Sequence, residues 1–231
     1  MVLEQFNYGA LRQLLDFDRG TQRLAYMLLL PLVDGVFATM LVSGYVSTFT
    51  NIVNAAFTVF AGAGALAVLY SEAETVEQAR KMVLKVTPLV LISGAVVGGI
   101  APVFQELFHI QSLQYATGLA IITIALQIAG IEKAQKLSIP AIIITGLVLS
   151  YRTPSNIQLT MQYLIPSVAT VLTAVTGLYI LAGLENRIRL DTIRLGGALV
   201  LLMIAGSLFG LSIPSEAGIA VLTASIIFSL R

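Results

Sequence analysis

Short polar interruptions cut this sequence into apolar stretches that are almost free of charge, and no other feature limits its possible folds so strongly. A helix needs about 20 mostly apolar residues to cross the hydrocarbon core of a bilayer, with roughly 17 to 25 workable. Stretches of this kind fall at about 24–46, 52–70, 83–104, 115–131, 137–151, 162–184, 195–213 and 217–230. The fifth and eighth are short, which leaves a re-entrant or interfacial helix open for either. With 57% hydrophobic and 11% charged residues and a mean hydropathy of +0.91, the chain carries more apolar surface than a water-soluble domain of this length buries. The expected fold is an all-α polytopic transmembrane bundle of eight spans.

The basic residues assign the sides. On the eight-span reading Arg12, Arg19 and Arg23 precede the first span. Arg80, Lys81 and Lys85 follow the second, Lys133 and Lys136 the fourth, Arg187, Arg189 and Arg194 the sixth, and Arg231 the last. All of these share one side, and only Arg152 lies opposite. Lys and Arg favour the cytoplasmic side, so both termini are expected there, in a cell-membrane protein. Residues 1–23 place Leu3, Phe6, Ala10, Leu14 and Phe17 at helical spacing, as in an amphipathic helix lying on the cytoplasmic interface or packed on the end of the bundle. No basic segment followed by an apolar one opens the chain, so the first span is expected to serve as the targeting signal.

Three segments recur in order. Residues 89–102 align with 201–214, pairing Gly94 with Gly206, Gly98 with Gly210 and Pro102 with Pro214; residues 118–123 align with 218–223, and 47–52 with 152–157, pairing Asn51 with Asn156. The pattern predicts a parallel duplication of four plus four spans, 24–131 and 132–231, within one membrane domain. Gly94/Gly98 and Gly206/Gly210 are small-xxx-small pairs, expected at close helix packing or at an interface that slides. The run from Ala61 to Ala65 fits close packing or a close approach of backbone to a solute.

Of the 12 acidic residues, Asp34 alone lies inside a span, about eleven residues past Arg23 and therefore near mid-bilayer. A carboxylate there costs at least about 2.5–3.5 kcal/mol on insertion scales, and such a group marks a functional site by default. Pro31 and Gly35 bracket it, predicting a helix break whose freed carbonyls could join Asp34 around a cation. The competing reading makes Asp34 structural glue. Asn51, Asn54 and Asn156 fit turn chemistry or a solute vestibule; Ser215 and Glu216 fit an N-cap and a dipole partner for the last span; Thr123 and Gln127 could line a path. The single His109 and the absence of cysteine remove His clusters and thiolate metal sites. There is no phosphate-binding loop, no HExxH and no nucleophile elbow. No enzyme, cofactor, metal or nucleic-acid partner is implied.

Pro31, Leu32, Val33, Asp34 and Gly35, the Gly-rich second span ending at Glu72, and Pro214, Ser215 and Glu216 together resemble an uncharacterised family of archaeal, haloarchaeal-type integral membrane proteins built on a domain of unknown function. The resemblance implies a membrane protein and draws attention to these three places without implying an activity. The expected function is transport of a small solute or ion with Asp34 as the coupling or cation-binding acid, in contact with the lipid bilayer and a solute, proton or monovalent cation. A non-transporting membrane scaffold is the alternative.

Overall fold

A computed structural model describes residues 17–153, 161–184 and 189–230. The expected interfacial helix at 1–16 and Asn156 lie outside the described residues. Among the described residues the chain is all-helical, and the polar interruptions of the sequence are the places where helices end. The elements are α1 (Arg19–Val33), α2 (Val36–Val42), α3 (Phe49–Ala55), which continues as a π-helical turn (Ala56–Phe60), α4 (Ala63–Glu72), α5 (Val76–Leu107), α6 (Ile110–Ile128), α7 (Glu132–Gln135), α8 (Ile139–Ser150), α9 (Leu164–Ala182), α10 (Leu190–Leu208) and α11 (Ser215–Ser229).

Among the described residues, three helices are long and apolar enough to cross a membrane: Val76–Leu107, Met161–Ala182 and Leu190–Leu208. Two bent pairs qualify when each is taken together, α1 with α2, bent by 43°, and α3 with α4, bent by 51°. The candidate spans therefore number three to five by length and composition, against eight expected. The difference has physical causes. In α6, Gln111, Gln114 and Gln127 dilute the apolar run, while α8, with 12 residues, rises only about 18 Å against a hydrocarbon core of about 30 Å. In the other direction, α5 is longer than the expected third span because residues 76–82 and 105–107 continue the helix, with Thr75 accepting the N–H of Gln78 as its N-cap. The outward faces of the helices are apolar: Ile92, Val148, Leu149 and Ile165 are 64%, 71%, 77% and 78% exposed. Apolar surface of that extent is compatible with a membrane location.

Side-chain contacts gather the helix ends into two groups. Arg23 at the start of α1 pairs with Glu72 at the end of α4. Asp18 pairs with Lys85 of α5 at 3.6 Å, the Tyr70 hydroxyl donates to the Leu181 carbonyl at the end of α9 (2.7 Å), and Arg80 lies over the Tyr179 ring. At the other end Arg152 donates to the carbonyls of Glu106 (3.0 Å) and Gln105 (2.8 Å), and Tyr163 donates to Gln105 (2.8 Å). The two Arg152 bonds satisfy carbonyls in the last turn of α5, which no helix turn follows, while the Tyr163 bond goes to the Gln105 side chain.

The core pairings are α5 with α9, α6 with α10, α10 with α11, α6 with α8, and α1 with α5. The helix pairings do not confirm the expected four-plus-four duplication: α10 and α11 pack along each other while their counterparts α5 and α6 share no comparable contact, and α8 packs on α6 where the counterpart of α1 would meet α10. The aligned residues also have unequal uses: Pro102 lies inside α5, whereas Pro214 occupies the N-cap position of α11.

Small residues set the closest crossing. A Cβ on Gly94 would meet Val171 at 2.7 Å, and one on Gly98 would meet Ser167 and the α9 backbone at 2.9–3.0 Å. The Ser167 hydroxyl donates to the Gly94 carbonyl at 2.5 Å, so α5 and α9 touch backbone to side chain as small-xxx-small packing requires. Gly206 and Gly210 do not pair two helices. Gly206 faces Leu211 and Ile213 of the loop that follows its own helix, and Gly210 lies past the end of α10 at φ +87°, a left-handed position that suits glycine after a helix.

Candidate functional site

Two helix breaks face one cavity. In the first, α1 runs through Pro31 and ends at Val33; Asp34 follows, and Gly35 at φ +86° redirects the chain into α2. The Asp34 carboxylate accepts the N–H of Val36 at 3.0 Å, satisfying one of the donors that the new helix leaves open. The break expected around Asp34, between Pro31 and Gly35, is present; the helix continues through Pro31, and the left-handed glycine makes the turn.

In the second break, α3 passes into the π-helical turn Ala56–Phe60, where the Ala61 N–H reaches back to the Ala56 carbonyl at 2.8 Å. A π turn inserted in an α-helix is frequent at functional sites. The chain then breaks at Ala61–Gly62 before α4 begins, with no side-chain cap at Gly62. A Cβ on Gly62 would sit 2.7 Å from the Thr58 carbonyl, so this turn closes only around glycine.

Between the breaks lies a cavity of about 260 Å³ whose walls include Asp34, Pro31, Thr58, Phe60, Gly62 and Gln127. Asp34 is half-buried and is the only ionisable residue among those described that line the cavity. The Thr58 hydroxyl donates to the Asn54 carbonyl at 2.6 Å. Gln127 donates its amide hydrogens to the carbonyls of Ala134 (3.0 Å) and Leu137 (3.1 Å), which ties α6 to the loop around α7. Gly35 touches α8 through Ile143, 3.3 Å from where a Cβ would stand.

The other expected site residues are placed elsewhere. Asn51 lines a separate pocket of about 130 Å³ with Tyr45, Asn54, Ser207 and Pro214, at the end opposite Arg23 and Glu72. Glu216 is exposed in the first turn of α11, where its charge complements the helix dipole; it reaches neither cavity wall. α11 starts one residue earlier than expected, with Pro214 at the N-cap position and Ser215 as the first helical residue. Thr123 is buried and bonds its own helix at Leu119. Thr58 was not singled out in the sequence, although Asn51, Asn54 and Thr58 stand at helical spacing. That polar stripe runs along α3 and its π-helical turn from the Asn51 pocket to the cavity beside Asp34.

Residues 89–209 match the model of a family described as "Family of unknown function (DUF5794)". The match spans more than half of the 231 residues. The chain belongs to this family. An uncharacterised family agrees with the resemblance to a domain of unknown function. The matched stretch includes Gln127, Ile139 and Leu201 of the cavity wall and begins after Asp34 and Gly62. No curated protein and no solved structure matched the chain.

Proposed function

We propose that the protein crosses the membrane eight times with both ends in the cytoplasm and carries a small solute or ion, with Asp34 as the cation-binding or coupling acid. The helix ends support the crossings. Arg19 and Arg23 at the start of α1, Arg80, Lys81 and Lys85 at the start of α5, Lys133 and Lys136 around α7, and Arg189 and Arg194 at the start of α10 fall on one side of the eight-span reading, where the positive-inside rule places the cytoplasm, and contacts tie the starts of α1 and α5 to the ends of α4 and α9. The short helices α8 and α11 complete the alternation as thin or tilted crossings packed against α6 and α10.

One observation carries the function: the only ionisable residue among those described that line the cavity stands at a helix break, across that cavity from a second helix break. Irregular backbone at membrane depth is tolerated where it lines a cavity, and paired broken helices around a charged residue are the usual construction of a transporter site. The scaffold reading has its own support, since Asp34 caps α2 through Val36. That bond uses one of about four acceptor positions, and an Asn or Ser cap would cost less than a carboxylate at this depth. No catalytic role is part of the proposal.

The test is flux in liposomes. Asp34→Asn keeps the cap on α2 and removes the charge, so it should preserve the fold and abolish proton- or cation-coupled transport. Parent-like coupled flux in this variant would leave Asp34 with its structural role alone.

A further inference from the structure

We propose that the cavity beside Asp34 takes an organic monovalent cation with an apolar body in preference to a bare metal ion. The inference rests on Asp34 being a cation site. It follows from what the walls offer. The side-chain donors are spent, Thr58 on the Asn54 carbonyl and Gln127 on the carbonyls of Ala134 and Leu137. Among the side chains, what remains is one negative charge with a few acceptor oxygens, and no side-chain donor is left for an anion or for a solute that must be given hydrogen bonds.

A bare metal ion fits poorly for a different reason. It must exchange its hydration shell for a full set of oxygens, and most of the remaining wall is hydrocarbon: Met27, Leu30, Phe60, Ile124, Ile139 and Leu201. An ammonium group carried on an apolar body needs only the carboxylate at one end and apolar contact elsewhere. Phe60 adds to the apolar lining of the same space and is held by an edge-to-face contact with Phe37 at 4.9 Å. The volume of about 260 Å³ is close to the lower range of small-ligand pockets. Met27 and Leu30 line the cavity and are also 42% and 51% exposed, so its rim lies on the apolar outer face, where an amphiphilic cation concentrates.

The probe is radiolabelled benzyltrimethylammonium, bound at equilibrium to the full chain in nanodiscs. Binding should saturate at one per chain, weaken at least tenfold in Asp34→Asn and persist in Asp34→Glu. Tetramethylammonium, which has the charge without the body, should compete at least tenfold less well, and Na⁺ or K⁺ only as ionic strength does. If Na⁺ or K⁺ displaces the probe at equal concentration, or binds in its place through Asp34, the site is inorganic; this inference then fails while the assignment of Asp34 survives. If the parent binds no probe, or native mass spectra show a lipid held in the cavity that the probe does not displace, the inference is overturned. Unaltered coupled flux in Asp34→Asn would remove the underlying assignment as well.

Discussion

Gly98 and Gly99 are adjacent in the middle of α5 and should respond oppositely to the same added methyl group. At Gly98 a Cβ would stand 2.9 Å from Ser167 Cβ and 3.0 Å from both the Leu164 Cα and the Tyr163 carbonyl oxygen, whereas at Gly99 it would meet nothing within 4 Å. Two of the three atoms at Gly98 are backbone, so relief requires α5 and α9 to part by about half an ångström. Forced overpacking of this kind costs about 1–3 kcal/mol, and the Ser167 bond to the Gly94 carbonyl one turn away would lengthen with it. Both substitutions gain the same helix propensity, about 0.8–1 kcal/mol, so the difference between them isolates the packing. Gly98→Ala should therefore be about 1–3 kcal/mol less stable than Gly99→Ala in denaturant unfolding of the purified protein in detergent. Equal stability of the two variants would show that α5 and α9 do not meet at Gly98.

Gly35→Ala should lower stability by about 1–2 kcal/mol in the same assay, because a side chain is strained at φ +86°; no loss would mean that the first break is differently built. Asp18 caps α1, accepting the Thr21 hydroxyl at 2.6 Å, and this bond, with the Thr21 N–H and Lys85, holds its carboxyl below the ordinary 3.8. A depressed folded value stabilises the fold above the unfolded pKa and loses that effect as pH falls through the folded one. The cost of Asp18→Ala, about 1 kcal/mol, should thus be complete near pH 7 and shrink below pH 3.8; a gap that grows on acidification would refute the cap. Single cysteines at Thr48 and Gln111 should react with an impermeant thiol reagent from outside cells, and those at Glu74, Gln135 and Asp191 should not, since the native chain has none. Outside labelling at Asp191 would remove the eight-crossing arrangement.

What the sequence disclosed depended on whether a residue type carries its own geometry. Asp34 and Gly35 were legible because a lone carboxylate in an apolar run and a glycine after it have few other uses. The π-helical turn at Ala56–Phe60 was not, since no residue type encodes its hydrogen bonding, and Thr58 reaches the cavity because of that turn. Pro31 marked the neighbourhood of the break without fixing its position, as a helix buried among neighbours tolerates a lost donor. Gly206 and Gly210 matched Gly94 and Gly98 in spacing, yet spacing does not report which helix comes near; α9 lies against one pair, and a turn follows the other. The length of the apolar runs similarly overstated α8, where Ser138 caps the N-terminus and extended backbone at Tyr151 pairs with Phe108 beyond the C-terminus.

The central claim is that Asp34 presents its charge to a solvent-reachable cavity between the two breaks. Val59 lines that cavity and is partly buried, so Val59→Cys places a single thiol in it. The rate of modification of this thiol by cationic and by anionic methanethiosulfonate reagents should be measured with Asp34 present and with Asp34→Asn. The account predicts that the cationic reagent reacts several times faster and that the preference disappears with Asp34→Asn. A thiol that does not react, or one whose preference is the same with and without the carboxylate, would contradict it.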